Sequence, residues 1–127
     1  MTRNTLIWLA LFGTVALVSP GLASAADPAM KQDGMLVNHK GMTLYTFGKD
    51  AEGKSMCNDK CAQKWPPLAA KATDTAGPEW TMVKRDDGSM QWAYEGQPVY
   101  TYVEDKKAGD MKGDNVGEWK AIMEDAD

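Results

Sequence analysis

Past an apolar opening run, the chain alternates short apolar stretches with clusters of Gly, Asn, Asp and Lys. That spacing predicts strands and turns more than helices. "GMLV" (34–37), "NHKG" (38–41) and "MTLYTF" (42–47) read as strand, turn, strand, with Asn38 and Gly41 as turn formers. Along 42–47, Met42, Leu44 and Thr46 face one way and Thr43, Tyr45 and Phe47 the other. Neither set is plainly polar, so this strand is expected to be covered on both sides. Residues 26–33 show no periodicity and read as a loose leader.

Helical spacing is convincing only in "MCNDKCAQKW" (56–65), where Cys57, Cys61 and Trp65 lie four apart. Pro66 and Pro67 stop that helix. A bridge between two cysteines deep in one helix is awkward, so Cys57 is expected at the helix start, with Asn58 or Asp59 in the first turn. Residues 69–79 read as a surface loop closed by Gly77-Pro78. "WTMVK", "RDDG" and "SMQWAY" form a hairpin turning at Asp87-Gly88, and Glu95-Gly96 turns it into "QPVYTYV", giving a three-stranded meander. Pro98 marks an edge or unpaired position. "GEWKAIM" is a final strand.

The strand pattern is written twice. Leu44, Tyr45, Thr46, Phe47 and Asp50 are answered by Val99, Tyr100, Thr101, Tyr102 and Asp105. One inserted residue aligns Asp33-Gly34 with Asp87-Gly88 and Met35 with Met90; downstream, Trp65 matches Trp119 and Leu68 matches Ile122. The unit, about 33–68 and 87–122, is roughly 36 residues long, a length at which supersecondary units duplicate. One hairpin cannot bury its own apolar side, so the copies are expected to cover each other with pseudo-two-fold packing. The fold class is therefore mostly β: antiparallel, two homologous hairpin or meander repeats, one short helix with a C-x3-C disulfide.

These stretches, together with "CNDKCAQKWPP", resemble the bacterial secreted-repeat family, predicted lipoproteins with a Tyr-x-aromatic-x-x-Asp motif. The motif stands here as Tyr45, Phe47, Asp50 and as Tyr100, Tyr102, Asp105. The resemblance implies an exported protein without an established biochemical function, and supplies no catalytic residues.

The ends and the charge narrow the compartment. Arg3, the apolar run at 6–18 and the small residues Ala23 and Ala25 form a cleavable signal peptide over residues 1–25. The run, about 13 residues, is short for a membrane span. No cysteine adjoins the cleavage site, so a soluble periplasmic or secreted chain without a lipid anchor is expected, one β domain over 26–127. The formal net charge is −4, which argues against nucleic acid and against adsorption to anionic lipid. Two exported cysteines, Cys57 and Cys61, predict a disulfide.

Chemistry-bearing candidates are few. A single histidine, His39, excludes blue-copper and most catalytic zinc sites. A Ser-His-Asp triad would need Ser55 or Ser89, and neither lies in a nucleophile elbow. Met30, Met35, His39 and Met42 form a possible copper set of thioether and imidazole ligands. Asp105, Asp110, Asp114 and Glu118 offer a weak cation loop. Tyr45, Phe47, Tyr100 and Tyr102, with Trp80 and Trp92 nearby, form either a buried seam or an exposed aromatic platform. The leading functional expectation is a non-catalytic periplasmic binding or envelope-associated module, not an enzyme, with no cofactor and an unknown small ligand or envelope protein as partner. The alternatives are a copper-handling protein and a thiol-disulfide redox protein on Cys57 and Cys61.

Overall fold

Asp33 and Gly34 both adopt left-handed backbone, with φ of 55° and 82°. They make the two-residue connection that right-handed strand twist favours in a hairpin. In the computed structural model, which describes residues 27–123, this turn joins β1 (Ala29–Gln32) to β2 (Met35–Asn38), antiparallel with Ala29 opposite Asn38. The supposed leader is thus a strand. Only Ala29 of its four residues is buried, so no alternation announced it; the Asp-Gly turn was the available signal. The signal peptide read at 1–25 lies outside the described residues.

The remaining elements are β3 (Tyr45–Phe47), α1 (Lys60–Lys64), β4 (Ala69–Ala70), β5 (Trp80–Lys84), β6 (Met90–Tyr94), β7 (Gln97–Pro98) and β8 (Trp119–Ala121). β5, β6 and β7 form the expected meander, and Glu95-Gly96 (φ 50° and 86°) repeats the left-handed turn. β4 pairs with β6, with Ala69 opposite Gln91, so the predicted 69–79 loop begins two residues later. None of residues 42–47 is exposed, as the double-sided pattern required.

The helix is shorter than its spacing predicted. Asp59 sits at φ 56° and ψ −119°, outside helical geometry, and breaks the backbone before Lys60. Cys57, Asn58 and Asp59 therefore precede the helix, and the four-residue spacing records a bridged loop followed by one turn. Trp65, restricted by Pro66, ends it. Among the described residues, no helix is long and apolar enough to cross a membrane.

Each repeat gives its last strand to the other. β3 pairs with β8, with Tyr45 opposite Ala121, and Pro67 pairs with Tyr100 in the equivalent place. Behind these pairs lie two closed triangles of backbone hydrogen bonds. Leu36 N–H donates to Ile122, Ile122 to Leu44 and Leu44 to Leu36, at 3.0, 2.9 and 3.1 Å. Trp92 donates to Leu68, Leu68 to Val99 and Val99 to Trp92, at 2.8, 2.9 and 3.0 Å. The triangles show the pseudo-two-fold relation directly, and they correct the alignment. Leu36 corresponds to Trp92, so Met35 corresponds to Gln91 and not to Met90. The β2–β3 connection closes Asn38 onto Met42, whereas the β6–β7 connection closes Tyr94 onto Gln97, so the length difference sits in that loop and in the longer β5–β6 turn.

Two apolar clusters follow. Ala29, Leu36, Leu44, Trp80, Trp92 and Val99 make one. Tyr45, Cys57, Trp65, Tyr100, Trp119 and Ala121 make the other, between the repeats. The mostly β, duplicated, antiparallel fold with one short helix and a Cys57–Cys61 bridge is the architecture expected from the sequence.

Candidate functional site

The repeated motif meets itself at the centre of the molecule. Tyr45 and Tyr100 are both fully buried. Each donates its hydroxyl proton to the aspartate of the other repeat: Tyr45 Oη to Asp105 Oδ2 at 2.7 Å, and Tyr100 Oη to Asp50 Oδ2 at 2.6 Å. Each aspartate also accepts a loop amide, Met56 N–H on Asp50 and Lys112 N–H on Asp105, at 2.7 and 2.9 Å. One carboxylate thus fixes a loop of its own repeat and a tyrosine of its twin.

Burial, then the hydrogen bonds to Asp105 and Asp50, push the Tyr45 and Tyr100 phenols well above the ordinary tyrosine range. Both remain neutral donors. Burial also raises the Asp50 carboxyl above its usual value, against the bonds from Tyr100 and Met56 and the charge of Arg85.

Around these tyrosines the rings form a continuous pile. Phe47 stacks on Trp119 at 4.2 Å between centroids, Trp119 on Trp65 at 3.8 Å, and Trp65 on Tyr102 at 3.9 Å. The central tryptophans are parallel within 2°. Tyr45 meets Trp65 edge-on at 5.4 Å and Tyr100 meets Trp119 edge-on at 5.0 Å. Trp65 and Trp119 are buried, and Phe47 and Tyr102 are half-buried. The open platform is therefore replaced by a closed seam, because its tyrosines lie inward and its tryptophans cover each other. Trp80 and Trp92 belong to the other cluster, edge-on to one another at 6.0 Å.

The two halves are pinned differently. In the first repeat, Cys57 and Cys61 are bonded, with Cα atoms 5.1 Å apart. Cys57 is fully buried and Cys61 partly so. In the second, aspartates do this work: Asp110 accepts from Lys106 and Lys107, and Asp114 from Ala121. The loop carboxylates Asp105, Asp110, Asp114 and Glu118 do not converge; no metal-holding group of three or more His, Cys, Asp or Glu occurs among the described residues.

Arg85 was not singled out from the sequence, since "KRDDG" reads as a charged turn. It is buried, with 5% of its surface exposed. Its guanidinium donates to Ser55 Oγ, Gln91 Oε1 and the Cys57 carbonyl oxygen. Tyr100 spends its one proton on Asp50, so the Ser55 hydroxyl donates to Tyr100, at 2.6 Å. Ser55, a candidate nucleophile beside His39, instead belongs to this network. Gln91 completes it by donating to the Val99 carbonyl oxygen at 2.8 Å.

The copper candidates occupy separate settings. Met30 is exposed on β1, Met35 is buried in β2, and Met42 is half-buried beyond the turn. His39 Nε2 lies 2.8 Å from the Asp27 carbonyl oxygen. A carbonyl only accepts, so Nε2 carries a proton in this contact. His39 lines an open cavity of about 360 Å³ with Asp27, Thr73, Asp74, Thr75 and Trp92. A second cavity, about 300 Å³, lies beside Arg85, Asn58 and Asp86.

A family model described as a secreted repeat of unknown function matches the chain twice, at residues 29–69 and 81–123. Neither a curated protein nor a solved structure matches it. The paired match follows the structural duplication, in which β1 and β5 open equivalent units.

Proposed function

The chain belongs to the secreted-repeat family, and from that premise we propose that it is a non-catalytic periplasmic binding or envelope-associated module whose contact surface is the cavity beside His39. Export is supported by the apolar leading segment and the disulfide. A role without catalysis is supported by the use of the reactive groups. His39 bonds a backbone carbonyl, Ser55 is held by Tyr100 and Arg85, and both cysteines are joined.

The carrying observation is the contrast between seam and cavity. The motif residues are consumed in holding the repeats together, whereas the 360 Å³ cavity gathers Asp27, His39, Asp74 and two threonines beside Trp92. Polar groups converging beside an indole suit a small polar ligand with one apolar side. A titration of isotopically labelled protein with small amines, amino acids and mono- and disaccharides tests the reading. It predicts chemical-shift changes at His39, Asp74 and the Trp92 indole that His39→Ala and Asp74→Ala weaken. Changes confined to Phe47 and Tyr102 would move the site to the seam and defeat the proposal.

A further inference from the structure

The central ring pile has a property that neither packing nor ligand binding requires. Two tryptophans lie face to face at 3.8 Å. Each carries, edge-on, a fully buried tyrosine, Tyr45 on Trp65 and Tyr100 on Trp119. Each of those tyrosines points its proton at a carboxylate oxygen within 2.7 Å. The half-buried rings of Phe47 and Tyr102 cap the two ends. Donor, relay and proton acceptor occur twice, related by the pseudo-two-fold.

We propose that this assembly is a one-electron relay, in which an oxidising equivalent taken up by the stacked tryptophans is passed to Tyr45 or Tyr100 as that tyrosine gives its proton to Asp105 or Asp50. The substrate class is a small one-electron oxidant, such as a radical anion or a photo-oxidised metal complex, which accepts one electron from Trp65 or Trp119 and leaves an indole radical cation. The two indoles share the charge through their stacked faces. Tyr45 then supplies one electron to the indole and one proton to Asp105 Oδ2. The balance is closed: a radical cation, a neutral phenol and a carboxylate become a neutral indole, a neutral tyrosyl radical and a carboxylic acid. A small one-electron donor, such as a thiolate or a phenolate, later restores the phenol, which takes its proton back from Asp105. The Tyr100 branch uses Asp50 in the same way.

The geometry favours this direction because separating charge in a buried seam is costly, and the proton step removes it. The indole cation is discharged and the carboxylate neutralised together. A tyrosyl radical formed there is enclosed by protein, since Tyr45 and Tyr100 have no exposed surface. Oxidation would thereby be held away from the chain's surface.

The chain has four tyrosines, so Tyr94→Phe/Tyr102→Phe leaves only Tyr45 and Tyr100. Azide radical generated by pulse radiolysis oxidises this double variant, and transient absorption follows indole and tyrosyl bands separately. The expected result is decay of the indole band with matching growth of the tyrosyl band, slowed in deuterium oxide. Adding Asp50→Asn and Asp105→Asn is expected to abolish tyrosyl growth and prolong the indole band, with near-ultraviolet circular dichroism confirming the fold. No tyrosyl band in the double variant, or growth unchanged in deuterium oxide, would overturn the proposal even if the asparagine variants do not fold. Unchanged tyrosyl growth in folded asparagine variants would overturn the role of the carboxylates.

Discussion

Tyr45 and Tyr100 pair with each other through both backbone hydrogen bonds, Tyr45 N–H to Tyr100 O at 2.8 Å and the reverse at 2.9 Å. Residues in equivalent places of two repeats can pair so only where the axis relating the repeats passes between them. Their side chains then diverge, each to the other repeat's aspartate. Tyr45→Phe and Tyr100→Phe are each expected to cost about 1–3 kcal/mol, because the buried Asp105 or the half-buried Asp50 carboxylate loses a donor. Urea denaturation should also show Tyr45→Phe and Asp105→Asn to be coupled, and Tyr45→Phe and Asp50→Asn closer to additive. Additivity of the first pair would contradict the cross-repeat bond.

Gly113 packs closely against both Trp65 and Tyr102. A Cβ there would stand 2.6 Å from Trp65 Cη2 and 3.0 Å from Tyr102 Cδ2. Gly113→Ala should therefore destabilise by about 1–3 kcal/mol through overpacking. Trp65→Phe in the same chain should recover part of that loss, although it destabilises when made alone. Thermal denaturation of the single and double variants checks the sign of the coupling.

Reduction of Cys57–Cys61 opens a small loop, and the chain-entropy account assigns it about 2 kcal/mol. The reduced protein is expected to remain folded with a lowered Tm, because Arg85 still donates to the Cys57 carbonyl oxygen and Trp65 is still held by Trp119. Retained near-ultraviolet circular dichroism in excess dithiothreitol would agree; complete unfolding at room temperature would show that the network depends on the bridge.

Acid acts on the aspartates in two directions. Asp50 has a raised folded pKa, so the folded state binds its proton more tightly, and this group adds stability as pH falls through that value. Asp86, Asp87 and Asp110 are lowered, mainly by the Lys54 side chain, the Ser89 side chain and the Lys106 amide respectively. Their contribution is present above the ordinary aspartate pKa and disappears as pH falls through their lower folded values. Asp50→Asn removes the opposing effect, so its stability should fall more steeply with acid than the wild type. Urea midpoints measured from neutral pH to pH near the aspartate range would show parallel curves if Asp50 titrated as in the unfolded chain.

Repetition made much of this legible, since a pattern written twice fixes which strands are equivalent without any knowledge of their packing. Tyr45, Phe47 and Asp50 could be matched to Tyr100, Tyr102 and Asp105 directly. Their partners could not be, because nothing local distinguishes Asp50 from Asp105 as the acceptor for Tyr45. β1 was hidden by its exposed side chains, although Asp33-Gly34 held the turn signal. Arg85 was hidden by Asp86 and Asp87, which make a solvated turn of what is locally the floor of a buried network. The pattern of Cys57, Cys61 and Trp65 implies a longer helix than the chain forms, because a bridge and a helical turn share the same four-residue spacing.

The mutual donation of final strands has a consequence for how such a chain can lengthen. A third copy added to either end would find both of its counterparts already engaged, leaving its triangle of backbone bonds open and its tryptophan without a face to cover. Architecture of this kind can be extended by twos, and a solitary copy has one remedy, which is to find another like itself.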